Sequence, residues 1–355
     1  MPSQRDYVVG PIPAALLRQF CVRLLVACGS KPTHAVIVAD CLLDAELDGY
    51  SSHGLSRLPL YLRRLSQGLI NSSPRLRVAV DAGPAIVLDG DNAFGAVAAH
   101  RAMQLAIARA TAYSVGLCAV KNSNHLGGLS FYVRKAARRG CIGLACTNSA
   151  AAIAPPGSRR AALGTNPIAA GIPTGGEPLI IDMSTSQVNR SWIIEAAANG
   201  NPLEPGWALD EFGEPTQDPE AAARGSLVPI GGAKGFGLAL IVEVLSALIS
   251  GASISPNVTG TFSDSSQASG IGHLMLCINP FKLNPRFASQ FADLLSTLRA
   301  GPPVSKGTDI RLPGDRRERV RAENRITGIF VKLAVAETLE RVAADHQLVA
   351  PWTAA

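Results

Sequence analysis

Apolar positions recur along the chain in two rhythms. Within residues 49–68 (GYSSHGLSRLPLYLRRLSQG), Leu55, Leu58, Leu62 and Leu65 return at steps of three and four, which predicts a helix that Gly68 stops. Upstream, residues 11–49 predict two helices. Pro13 opens the first and Gly29 ends it; Pro32 and Thr33 open the second, which runs toward Asp48. Residues 75–89 predict two short strands around an Ala-Gly-Pro turn, followed by an alanine-rich helix over about 94–113. Apolar runs without alternation predict buried strands at 115–120 and 141–146, with a helix over 130–139 between them. A strand at 179–181 ends in Asp182. Residues 200–219, rich in turn formers, predict a surface loop. The segment GGAKGFGLAL at 231–240 opens a long apolar helix. A strand at 273–278, a helix near 284–298, a turn at 312–319 (LPGDRRER) and a terminal helix to about His346 complete the reading.

Composition narrows the class. With 355 residues, 47% of them hydrophobic and 17% charged, the chain can bury a full core as a globular protein of two closely packed lobes. The net charge of +6 invites an anionic partner, and residues 134–139 (RKAARR) and 316–321 (RRERVR) are basic. Acidic residues are interspersed along the chain and no aromatic residues interleave the basic runs, so nucleic acid is not expected. The longest apolar run, 238–254, contains Glu243 and is too short and interrupted for a membrane span. The first residues, MPSQRDYVVGPIP, lack the apolar core of a signal peptide. The seven cysteines are scattered with no CxxC pair, which excludes an evident zinc or disulfide framework and points to a reducing cytoplasm.

Candidate chemistry gathers at three places. His53 stands at the mouth of the helix of 49–68, with Arg57 four residues on and on the same face; Ser51 or Ser52 is suited to cap it. An imidazole beside a fixed positive charge suits a carboxylate substrate, although a capped surface helix with an incidental histidine has the same pattern. The strand at 115–120 delivers KNSNHLGGLSFY, where His125 and two glycines precede a helix start. Free N–H groups there attract phosphate or carboxylate, and glycines let a ligand approach the backbone; a histidine that merely caps the turn is the plainer alternative. Asp182, with hydroxyl-bearing neighbours, can hold a ribose or act as an ordinary cap. Lys234 lies in a glycine-rich segment and can meet an anion, yet GxxxxGK[ST] is not met there. No GxGxxG follows a strand anywhere in the chain.

Taken in order, SSHGLSRLPLY, NSNHLGG, GTNP, IIDMSTS, PGWALDEFGEPTQDP, GGAKGFGLAL and LPGD resemble the malate/L-lactate dehydrogenase family of the sulfolactate dehydrogenase type. Ureidoglycolate dehydrogenase, diketogulonate reductase and piperideine-2-carboxylate reductase belong to it. The resemblance covers about residues 12–345. It implies an α/β fold that binds NAD(P) without a Rossmann fingerprint. A helical lobe of residues 1–75, completed by about 284–355, would flank a cofactor-binding and substrate region at 76–283.

The resemblance further implies a homodimer and NADPH- or NADH-dependent hydride transfer to a small carboxylate, either an α-keto acid or a cyclic α-imino acid. A catalytically silent relative that binds a dinucleotide or metabolite is the alternative. By carry-over, His53, His125 and Ser52 form the catalytic group, and Arg57 clamps the substrate carboxylate. His125, Leu126, Gly127, Ser149, Asp182, Met183, Ser184, Lys234, Pro313, Gly314 and Asp315 line the cofactor; no metal is implied. Sharing a face with Arg57 favours His53 as the proton donor, with His125 in the wall of the site. Two departures stand out. Asp48 replaces the family's usual arginine, and Trp192 occupies a place where the family carries Lys or a relay Asp. Trp192 is therefore expected to line the substrate pocket and favour a bulkier substrate.

Overall fold

The computed structural model describes residues 8–260, 267–305 and 309–353. The chain opens with β1 (Val8–Ile12), α1 (Ala14–Ala27) and α2 (Pro32–Leu47), the helices starting beside Pro13 and at Pro32. Two 3-10 turns, Ser51–His53 and Leu55–Arg57, lead into α3 (Leu58–Ser66). The hairpin β2 (Arg77–Ala82) and β3 (Ala85–Asp89) turns at Gly83, and the alanine-rich α4 (Gly95–Tyr113) delivers β4 (Val115–Ser123). Next come α5 (Ser130–Ala137), β5 (Ile142–Thr147), β6 (Ile168–Ile172) and β7 (Leu179–Met183).

A smaller unit follows: α6 (Arg190–Asn199), β8 (Ala208–Leu209), β9 (Pro215–Thr216), α7 (Pro219–Arg224) and β10 (Ser226–Leu227). From there α8 (Ala233–Glu243) runs on through a π-helical turn, Val244–Leu248, and β11 (Ile271–Ile278) returns to the main sheet. The last elements are α9 (Pro280–Leu283), α10 (Phe287–Arg299), α11 (Asp315–Thr327), β12 (Ile329–Lys332), which pairs with β1, and α12 (Leu333–Asp345).

Among the described residues the main sheet has seven strands in the order β2-β3-β4-β11-β5-β6-β7. Only β3 and β4 run parallel; the other neighbours are antiparallel. The chain thus forms a mixed α/β structure with β11 at its centre. Alanines explain how closely α4 lies on the sheet. Ala99, Ala102, Ala106 and Ala110 are fully buried, and a Cβ on Gly116 of β4 would lie 2.1 Å from the Ala106 carbonyl oxygen. Gly171 of β6 admits α5 in the same way, 2.4 Å from Val133 O. The largest apolar cluster runs from Leu17 and Leu42 through Ala102, Tyr132 and Met275 to Leu339, so the terminal helices and the sheet share one core. Each leucine buried there contributes about 2 kcal/mol. A second cluster, around Ile153, Ile193, Leu203 and Leu227, supports the smaller unit.

Several expectations change. Neither Ser51 nor Ser52 caps α3, which begins at Leu58 with Pro59 in its first turn; the serine oxygens are engaged locally instead. β6 (IAAGI) was hidden by its small residues, which carry little strand preference. Residues 200–219 contain two short strands rather than loop alone. The turn expected at 312–319 ends at Gly314, and RRER is the first turn of α11.

Candidate active site

His53 ends the first 3-10 turn, held from beneath by α2. Leu55 N–H donates to Glu46 Oε1 at 2.6 Å, and a Cβ on Gly54 would lie 2.2 Å from that oxygen, so the turn sits directly on the Glu46 carboxyl group. Burial pushes this group up to about 7. Ser52 Oγ lies 3.1 Å from His53 Nδ1, and the Ser52 carbonyl accepts from Arg57 Nε at 2.6 Å. Ser52 therefore orients the imidazole with its side chain and the guanidinium with its backbone. Arg57 is buried, with 7% of its surface exposed. Burial first, and the Arg57 charge second, push His53 down to about 3.

His125 follows β4. Tyr61 OH lies 2.7 Å from its Nδ1, and Gly127 N–H donates to the same nitrogen at 3.3 Å. An Nδ1 that accepts leaves the proton of the neutral ring on Nε2, as a donor. Burial keeps the Tyr61 phenol protonated by pushing it well up, and holds His125 well below the ordinary histidine range, with Arg57 and His53 adding to the effect. The two imidazoles stack with centroids 5.8 Å apart and planes inclined by 26°.

Two clefts meet at this pair. The first is lined by His53, Gly127, Gly128, Ser130, Asp182 and Arg317. The second is lined by Arg57, His125, Ser149, Arg190, Ile193 and Ile194. Thr165 of the LGTNP turn lines both. The first cleft suits a dinucleotide. The start of α5 and the Arg317 guanidinium can take phosphate, and the Asp182 carboxyl, which accepts from Ser130 N–H at 2.9 Å, can take ribose hydroxyls. Burial pushes Asp182 up, and Arg317, 3.8 Å away, opposes it. Met183 and Ser184 continue the same wall. Among the described residues no group of three His, Cys, Asp or Glu could hold a metal ion.

Arg317 is held from behind by Asp48. That carboxyl is wholly buried and accepts from Arg317 at 3.1 Å, Arg321 at 2.6 Å and Arg134 at 2.9 Å. Uncompensated, such a charge would cost several kcal/mol; here burial raises its pKa and the arginines pull it back. Arg317 also lies over the Tyr50 ring, 4.7 Å from its centroid.

The residues expected from sequence fall into two groups. His53, Ser52, Arg57, His125, Gly127, Asp182, Met183 and Ser184 come together as described. Ser149 lines the second cleft rather than the first. Leu126 is buried, and its carbonyl accepts from Tyr132 OH and from Cys41 Sγ at 3.3 Å, so it supports the loop from within. Lys234 is exposed in the first turn of α8, outside both clefts. Gly314 packs on β7, where an added Cβ would lie 3.0 Å from Ile180 O. Pro313 precedes it in the turn, and Asp315 turns away into a two-point ion pair with Arg299 at 2.8 and 3.1 Å.

Trp192 requires a correction. It is 56% exposed and packs edge-on against Trp207 at 6.2 Å, while its helix neighbours Arg190, Ile193 and Ile194 form the pocket wall. The helix turns its 193 side inward, because Ile193 belongs to the second core cluster. Sequence reasoning missed Thr165, whose LGTNP segment was read only as a turn, and Arg317, concealed in a stretch read as turn and basic surface.

A family model described as Malate/L-lactate dehydrogenase matches residues 12–340 of the chain. The chain is 38% identical to a (2R)-3-sulfolactate dehydrogenase (NADP(+)) of Chromohalobacter salexigens, across 85% of this chain and 89% of that one. Its fold matches the sulfolactate dehydrogenase of Methanocaldococcus jannaschii with a TM-score of 0.89, at 32% identity, over 96% of this chain and 98% of the other. The delta1-piperideine-2-carboxylate reductase of Pseudomonas syringae pvar. tomato matches with a TM-score of 0.86, at 32% identity, over 94% and 100%.

Proposed function

The chain belongs to the malate/L-lactate dehydrogenase family, and we propose that it is an NADH- or NADPH-dependent reductase of a small α-keto acid or cyclic α-imino acid. One observation carries this reading: His53 lines the first cleft, His125 stacks on it from the second, Thr165 lines both, and a buried arginine stands in the second. A nicotinamide cofactor bound in the first cleft would supply the hydride. Arg57 grips the substrate carboxylate in the second cleft and thereby fixes the carbonyl or imine carbon at the shared wall.

His53 is the proton donor. Once a carboxylate neutralises Arg57, one of the two causes that depress this imidazole is removed, so substrate binding itself favours its protonated form. His125 acts differently. With Nδ1 occupied by Tyr61 and Gly127, its Nε2–H is a fixed hydrogen-bond donor for the oxygen or nitrogen on which charge develops. Ser52 holds His53 and Arg57 in mutual register. Asp182, Ser184 and Arg317 would hold the dinucleotide beside a mostly antiparallel sheet.

The enzyme works in the cytoplasm as a homodimer. An exposed apolar row on α8 and the turn after it supports the second part: Leu240, Ile241, Val244 and Leu248 are 40–58% exposed. Seven free cysteines are in keeping with the first.

The test is nicotinamide absorbance with NADPH, then NADH, against pyruvate, oxaloacetate, a bulky aromatic keto acid and the five- and six-membered cyclic imino acids. Oxidation with at least one substrate, lost in His53→Ala while dinucleotide binding persists, is the expected result. Failure to bind either dinucleotide, or undiminished turnover in His53→Ala, would contradict the reading.

A further inference from the structure

Opposite its exposed apolar row, α8 turns Glu243 inward, with 4% of its surface exposed. Donors from three loops converge on this one carboxyl group. Ser255 supplies two, its N–H at 2.6 Å to Oε1 and its hydroxyl at 2.5 Å to Oε2. Asn166 Nδ2 donates at 2.7 Å and Asn148 Nδ2 at 3.2 Å. A carboxyl group offers about four acceptor positions, and all are taken.

Each asparagine adjoins a residue of the clefts: Asn148 precedes Ser149, and Asn166 follows Thr165. The loops are also braced to each other. Ser149 N–H donates to Asn166 Oδ1 at 3.3 Å, and Gly164 N–H donates to the Ser255 hydroxyl at 3.0 Å. Nothing larger than glycine fits at 164, where a Cβ would lie 2.3 Å from Ser149 Oγ and 2.5 Å from Asn166 Oδ1. The second amide bond of Asn166, to Ala239 O at 2.9 Å, returns to α8 one turn before Glu243.

We propose that Glu243 is a positioning residue of the site. It fixes the loops that carry Ser149 and Thr165 against α8, and so sets how the substrate cleft meets the cofactor cleft. It touches neither ligand. The consequence for turnover rests on the function proposed above; the fixing of the loops does not.

The test compares Glu243→Gln with Ser246→Ala, which removes a buried hydroxyl bond on the same helical run (Ser246 Oγ to Val242 O, 2.6 Å) but reaches neither loop. In place of either oxygen, the NH₂ of a glutamine meets two groups that donate, and at least one bond is lost. Amide hydrogen exchange over 147–153 and 163–167 is expected to quicken roughly tenfold in Glu243→Gln and to stay near wild type in Ser246→Ala. With the substrate found by the panel above, KM is expected to rise about tenfold with a smaller change in kcat. Glu243→Asp, which keeps the carboxyl group one methylene short, should fall between wild type and Glu243→Gln on both readouts and serves if the glutamine variant does not fold. Loop exchange no faster than in Ser246→Ala overturns the proposal, as does faster exchange with unchanged KM. A wild-type protein without turnover whose loops still loosen in Glu243→Gln would sink the proposed function and leave the loop anchor standing.

Discussion

In the proposed reaction Arg57 does two things at once, and they pull in opposite directions. Its guanidinium would attract the substrate carboxylate, while its charge disfavours a protonated His53 beside it. If reduction consumes a proton from His53, as proposed, the rate is lost as pH rises through the pKa of that group. A less positive residue 57 should therefore move this loss to higher pH. For Arg57→Gln we expect KM for the carboxylate substrate to rise by about a hundredfold, and the alkaline limb of the kcat/KM profile for reduction to shift upward. Steady-state kinetics across pH check both effects. An unchanged KM would remove Arg57 from the clamp, and a limb moved to lower pH would mean that a group other than His53 supplies the proton. Residue types singled out His53, Arg57 and His125, at a helix mouth and after a buried strand, but left an ordinary capped helix or turn equally open; their proposed roles came from the family resemblance, and the structure brings the three together. Arg317 was not legible, since nothing in RRER distinguishes the arginine that faces a buried aspartate from those that face water.

Periodicity located most elements, including the first two helices, the hairpin, α4 and β11, because each is long or sharply bounded by Pro or Gly. It failed where stability is tertiary. β6 is held by pairing with β5 and β7, not by its own strand preference, and the serines before α3 bond locally, Ser52 to His53, instead of capping the helix. Trp192 was misplaced for a related reason. Position along a motif does not say which side of a helix is buried; Ile193, packed in the second core cluster, decides that for α6. For α8 the helical pattern was clear, but its two faces emerge only in three dimensions. Its outer row of apolar side chains exceeds what a solvated helix needs. Sedimentation of the wild-type protein should return twice the chain mass of 37.0 kDa. Ile241→Glu, with a charge placed in that row, should return the single-chain mass at the same concentration. A wild-type monomer, or an Ile241→Glu dimer as tight as wild type, would show that this face is not the contact.

At the scale of the whole molecule, the site is assembled from distant parts of the chain. α2 and the turns after it supply His53 and Arg57, the loop after β4 supplies His125, the stretch after β7 supplies Ser184, and α11 supplies Arg317. One apolar core binds the terminal helices to the sheet, and so keeps these contributions in register. This convergence explains why single motifs were weak and their order was informative. In the proposed reaction, hydride would pass from a dinucleotide in the first cleft to the carbon beside a carboxylate in the second. The most direct measurement uses NADPH or NADH deuterated at C4 of the nicotinamide, on each face separately, with mass analysis of the hydroxy or amino acid product. Label from one face should appear at the carbon next to the carboxylate, and His53→Ala should form no labelled product. Product that carries no deuterium from either face would contradict the proposed reaction.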